Sequence, residues 1–207
     1  MCGEKGRFSP VFDFRFSGEN VRLRSMSKAI GMVELQTVSA GIQSADMMLK
    51  TAEVEVIESQ PVCPGKYIVI ITGDLSAVKA SVDSVKTRFE SKLMGSFVLG
   101  NPHESLFPAL YGASKVEDVK ALGVLETFNA ADIISAADAA AKTSLVDLIE
   151  LRVARGMCGK SYMLITGDVA AVSAAIDRAK QEVSADGMLL DSSVIPNPDK
   201  RLWDSIL

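Results

Sequence analysis

The 207-residue chain is 48% hydrophobic and 23% charged, with 15 Gly, 7 Pro and a formal net charge of −4. So apolar a chain buries enough surface to offset the entropy of ordering, which excludes disorder, and its acidic balance excludes an electrostatic nucleic-acid binder. No apolar run approaches the roughly 18–20 residues of a membrane-spanning helix, so no membrane partner is expected.

Residues 1–28 hold five basic residues before Ser25 (Lys5, Arg7, Arg15, Arg22, Arg24) and four of the eight Phe, with no continuous apolar stretch behind the charges. They read as an N-terminal extension rather than a secretory signal, and are expected to be flexible. From residue 29 the pattern becomes regular. Ile30–Leu35 is a short apolar run, and Val38–Thr51 places Ile42, Ala45, Met48 and Leu49 on one helical face. Val54–Glu58 alternates like a half-buried strand. Tyr67–Ile71 is rich in β-branched residues and stops at Thr72-Gly73-Asp74, a turn and helix start. Val78, Val82, Val85 and Phe89 mark a second helix, and Leu93–Leu99 a last strand.

The same unit is then written again. Ala29-Ile30-Gly31-Met32-Val33-Glu34 recurs as Ala121-Leu122-Gly123-Val124-Leu125-Glu126, and Ala45-Asp46 and Lys50-Thr51 recur as Ala137-Asp138 and Lys142-Thr143. After a two-residue slip Ile71-Thr72-Gly73-Asp74 recurs as Ile165-Thr166-Gly167-Asp168, and Asn101-Pro102 recurs as Asn197-Pro198. This period is far longer than the roughly 20–50 residues of solenoid repeats, so each copy is a domain. The first is expected over residues 29–114 and the second over 121–207. The order strand, helix, strand, strand, helix, strand predicts two tandem ferredoxin-like α+β domains, each an antiparallel sheet with helices on one face.

Few residues carry catalytic chemistry. The cysteines (Cys2, Cys63, Cys158) are odd in number and form no CxxC pair, which suits a reducing compartment. The single His103 lacks a partnered nucleophile or second ligand and reads as a surface or edge residue. No phosphate-binding glycine motif occurs, and the Gly-Asp pairs at 73–74 and 167–168 read as helix entries. Glu34 and Glu126 occupy matching strands, which duplication explains better than an acid pair. Asp46 with Lys50, and Asp138 with Lys142, have the i,i+4 spacing of helical ion pairs.

The run Ala29–Leu35, then Ala45-Asp46-Met47-Met48-Leu49-Lys50, then Gly65-Lys66 before a strand ending Thr72-Gly73-Asp74 resembles the bacterial microcompartment shell domain. Two unpermuted copies resemble the tandem, trimer-forming class of that family. Val62-Cys63-Pro64-Gly65-Lys66 and Val194-Ile195-Pro196 point to its propanediol-utilisation type. The resemblance implies a non-enzymatic shell protein, a homotrimer shaped as a pseudohexamer that tiles with other shell proteins. It places the loop after the second strand of each copy at a central pore: here Gln60–Lys66, with Pro64 and Gly65, and Arg155–Lys160, with Met157, Cys158 and Gly159.

Three copies of Cys63 would then converge on the threefold axis. Thiolates converging without histidines suit an iron–sulfur cluster or zinc. The resemblance implies one [4Fe–4S] cluster per trimer, with Cys63 as ligand, electron transfer across the shell or cluster exchange as its use, and encapsulated redox enzymes as candidate partners. A metal-free tile whose pore passes a polar metabolite is the alternative, and a ferredoxin-like enzyme or sensor a third. Cys158 aligns with Pro64, one position past Cys63, and is not expected to be a ligand; Cys2 is expected to play no part. The resemblance also implies that Lys50 and Lys142 lie at the tile edge. The arginine that the family usually carries after the last strand is missing from Asn101-Pro102-His103 and Asn197-Pro198-Asp199, which weakens that edge.

Overall fold

Residues 29–116, 118–184 and 187–206 are described in a computed structural model; the N-terminal extension and Cys2 lie outside them. The first repeat comprises strand β1 (Ala29–Leu35), helix α1 (Val38–Thr51), strands β2 (Val54–Val62) and β3 (Lys66–Gly73), helix α2 (Leu75–Arg88) and strand β4 (Leu93–Leu99). After a short helix α3 (Leu106–Leu110), the second follows as β5 (Ala121–Thr127), α4 (Ala130–Thr143), β6 (Asp147–Arg152), β7 (Ser161–Gly167), α5 (Val169–Ser184), β8 (Leu189–Ile195) and a final helix α6 (Lys200–Ile206). The two four-stranded sheets run β2-β3-β1-β4 and β6-β7-β5-β8, with every neighbouring pair antiparallel. This is the ferredoxin-like order expected from the sequence.

The strand sequences report how many faces are covered. In sheet 1 the inner face (Val33, Val69, Ile71) packs on Ala40 and Met48 of α1 and Val78, Val82 and Val85 of α2. Its outer face (Ile30, Met32, Ile68, Ile70, Phe97) shares a core with Ala130, Ile134 and Ala137 of α4, a helix of the second domain. With both faces covered, all seven residues of β1 are buried, so the strand reads as a continuous apolar run rather than an alternating one. The two domains thus form one packed body.

Three local expectations change. The first loop was expected from Gln60 to Lys66, but β2 continues to Val62 and β3 starts at Lys66, leaving only Cys63-Pro64-Gly65 as the turn. Pro61 is tolerated in a ladder because β2 is an edge strand. Asp74 stands at the start of α2 without a side-chain cap, whereas Thr37 Oγ1 accepts from the Ala40 N–H and Asn129 Oδ1 from the Asp132 N–H. The helices α3 and α6 are too short for periodicity to announce them. No described helix is long and apolar enough to cross a membrane.

Candidate functional site

Two turns, one from each repeat, meet at one end of the molecule. The first closes by a bond from the Gly65 N–H to the Val62 carbonyl (2.9 Å), with Gly65 at φ +98° and a cis peptide between Cys63 and Pro64. The second contains four residues at positive φ: Ala154, Gly156, Cys158 and Gly159. Its Lys160 N–H donates to the Met157 carbonyl (3.1 Å). The turns touch through the Cys63 N–H, which donates to the Ala154 carbonyl at 3.2 Å. Gly159 lies so close that an added Cβ would sit 3.1 Å from Lys66 Nζ and 3.2 Å from the Cys63 carbonyl oxygen. With φ at +89°, this position requires glycine on two counts.

Both Cys63 and Cys158 expose their thiols. Cys63, Pro64 and Gly65 line a shallow concavity of about 440 Å³ together with Pro61, Arg155 and Gly156. Arg155 reaches back to the first repeat and pairs with Glu58 at 2.5 Å. Beside them, burial and the Glu58 carboxylate push the Tyr111 hydroxyl up to about 12, against the opposing pull of Arg155. Burial also raises Tyr162 to about 12; its hydroxyl donates to Glu150 at 2.7 Å. Among the described residues no group of three or more His, Cys, Asp or Glu is placed to hold a metal within one chain. Each turn presents one cysteine, on a segment held by backbone bonds.

Behind the turns lies a junction that sequence reasoning passed over. Glu34 is fully buried: Oε1 accepts from Lys66 Nζ at 2.8 Å, and Oε2 accepts from the Ala130 N–H at 3.0 Å. A carboxylate of the first domain therefore sits at the N-terminus of α4 in the second, where the helix dipole and a free backbone donor favour negative charge. The signal was a charge inside an otherwise apolar strand, which duplication alone does not account for. The matching Glu126 is only half-buried.

The helical ion pairs form as spaced: Lys50–Asp46 at 2.7 Å on α1 and Lys142–Asp138 at 2.6 Å on α4. Asp138 does more, since its Oδ1 accepts from the His103 N–H at 2.8 Å. His103, whose ring bonds the Ser105 hydroxyl, thus marks the seam between the two domains.

Two packed ferredoxin-like repeats with adjoining turns at one end are the architecture of a tandem shell protein, and the chain belongs to the BMC domain family, whose model matches residues 29–102 and 121–198. Over 178 residues it is 38% identical to the bacterial microcompartment shell protein PduT of Citrobacter freundii, covering 86% of this chain and 97% of that protein. A carboxysome shell protein, CcmK2 of Thermosynechococcus vestitus, is 34% identical over 85 residues, covering 39% of this chain and 83% of its own length. The crystal structure of a microcompartment protein from Desulfitobacterium hafniense DCB superimposes with a TM-score of 0.76 at 45% identity, covering 86% of this chain and 98% of that one. These relatives bear out the expectation of a structural, non-enzymatic shell protein.

Proposed function

We propose that the protein is a homotrimeric tile of a bacterial microcompartment shell, in which three copies of the Cys63-Pro64-Gly65 turn surround a central pore and hold one [4Fe–4S] cluster. The observation that carries the reading is the meeting of the two repeats' turns within one chain, Cys63 N–H to Ala154 carbonyl. Continued around a threefold axis, that contact makes a ring of six turns with three Cys63 thiols in it. The donor set fits the group: an exposed soft thiol, no histidine among the residues that line the concavity with it, and too few ligands in one chain among the described residues.

Cys63 from each chain is the ligand, and a bound [4Fe–4S] cluster would supply one-electron chemistry at the pore. Gly159 packs against the Cys63 carbonyl, where a side chain would collide, and the bond to Ala154 ties down the Cys63 backbone. Cys158 stands on a different part of the rim. Lys50 and Lys142 face the tile edge, where other shell proteins dock; encapsulated redox enzymes are the partners such a pore would serve.

Iron and acid-labile sulfide analysis with EPR on anaerobically purified protein tests this. Wild type is expected to carry about four irons per trimer and Cys63→Ser none, with both sedimenting as trimers. Iron-free wild type leaves a tile with an open pore, and a signal that survives in Cys63→Ser moves the ligands elsewhere.

A further inference from the structure

The turn that carries Cys63 has a buried cation behind it. Lys66 Nζ and the Cys63 carbonyl oxygen both crowd the open face of Gly159, 3.1 and 3.2 Å from where its Cβ would sit. The ammonium and the Cys63 backbone therefore lie no further apart than those two distances together. Lys66 is held there by Glu34, with side chains only 14% and 0% exposed, so water screens the pair little. Glu34 is met from its other side by the Ala130 N–H at the N-terminus of α4. A helix N-terminus carries roughly half a positive charge, so lysine, carboxylate and helix end together keep a positive excess. The lysine is the member that faces the turn.

Little beside the turn cancels that excess. Gln60–Lys66 and Ala154–Lys160 contain no Asp or Glu, and Glu58, next to the concavity, is already paired with Arg155. The whole chain has a formal charge of −4, so the positive spot is local rather than part of a general field. In the second repeat the matching Lys160 is exposed and Glu126 only half-buried, so within one chain the arrangement belongs to the Cys63 turn. We infer that Lys66, oriented by Glu34, makes the Cys63 turn favour added negative charge, and so raises the reduction potential of a [4Fe–4S] cluster held there. Three copies of the lysine around the axis would act on one centre. Its part is electrostatic. One electron arrives from an external reductant, no bond forms or breaks, and the fixed ammonium lowers the free energy of the more negative state.

This inference rests on the cluster reading above, and its test has one arm that needs no iron. Lys66→Gln removes the cation but can still donate to Glu34. Glu34→Gln removes the anion, can still accept from the Ala130 N–H, and leaves the ammonium uncompensated. In a chain with Cys2 and Cys158 replaced by serine, Cys63 is alkylated by anionic iodoacetate and, separately, by neutral iodoacetamide. The ratio of the two rates cancels the reactivity of the thiol itself and reports the local potential. It is expected to fall severalfold in Lys66→Gln, to rise in Glu34→Gln, and to stay near wild type in Lys66→Arg, which keeps the charge. In iron-loaded protein, a dithionite titration followed by EPR is expected to give a midpoint about 59 mV lower for Lys66→Gln, a tenfold loss in the one-electron equilibrium constant. Glu34→Gln is expected to shift it upward. Loosening of the turn would move both variants the same way, so opposite shifts are the mark of charge. Iron-free wild type overturns the cluster reading and with it the shift in potential, while the alkylation ratio still decides whether Lys66 governs charge at the turn. A ratio that neither variant changes, or midpoints that move in one direction only, overturns the inference.

Discussion

Glu34 shows what one buried charge can decide. Taking a carboxylate out of water costs several kcal/mol unless partners replace the solvent, and here a lysine and a helix N–H both do. The arrangement couples two events that sequence places far apart: the first domain's sheet must be formed, and the second domain's α4 must be docked, before Glu34 is satisfied. Glu34→Ala would leave the Lys66 ammonium, itself mostly buried, without its carboxylate. We expect a loss of about 3–5 kcal/mol, in line with breaking other buried pairs, read as a lower denaturation midpoint by circular dichroism. Glu34→Ala with Lys66→Met, which removes both charges, should recover a large part of it. Failure of the double variant to recover anything would show that Ala130, not Lys66, is the partner that matters.

At the scale of elements, the two repeats solve the same packing problem with different volumes. In the first, Gly41 of α1 lies against Tyr67 of β3 so closely that an added Cβ would fall 2.2 Å from the ring. The ring is fixed: Tyr67 is buried, and its hydroxyl bonds the Ser59 hydroxyl at 3.1 Å. At the matching positions of the second repeat stand Ile133 and Ser161, both buried, so bulk has moved from strand to helix. Gly41→Ala gains about 1 kcal/mol of helix propensity, but forces apart a well-packed contact at a cost of about 1–3 kcal/mol. The clash should win, and Gly41→Ala should lower the melting temperature, while Gly41→Ile with Tyr67→Ser, the pair the second repeat uses, should be less destabilising than Gly41→Ile alone. These elements were legible because their patterns are long: the fourteen residues of α1 begin and end where periodicity placed them. The turn at Cys63 was legible in place but not in extent, since Pro61 reads as a loop residue unless one knows that β2 is an edge strand. The junction through Glu34 and Asp138 was not legible, because nothing in one repeat says which face of it the other will cover. The i,i+4 pairs could be read for the opposite reason, both partners lying on one helix.

For the whole molecule, the ring contact and the edge contact must use different surfaces if a tile is both to close and to tile. The exposure of the two lysines bears on this. Docking of α4 on sheet 1 buries Asp138, yet the Lys142 side chain remains 40% exposed, against 74% for Lys50 on the uncovered α1. The lysine ends therefore project past the domain seam even where the helix behind them is packed. The Lys50–Asp46 pair is exposed on both sides and worth little to the fold, about 0.2–1 kcal/mol, so Lys50→Ala should leave the trimer and its melting temperature nearly unchanged. Lys142→Ala removes the cation from the buried Asp138, which keeps the His103 N–H, and should lower the melting temperature more without breaking the trimer. Flat association is different, because a sheet repeats the same weak contact along every edge of every tile. A trimer presents six such lysines, three Lys50 and three Lys142. Lys50→Ala or Lys142→Ala should each impair sheet formation in negative-stain micrographs, and the double variant should abolish it, with sedimentation still reporting trimers. Sheets formed by the double variant as readily as by wild type would remove both lysines from the edge. Loss of the trimer itself would place them at the ring contact instead.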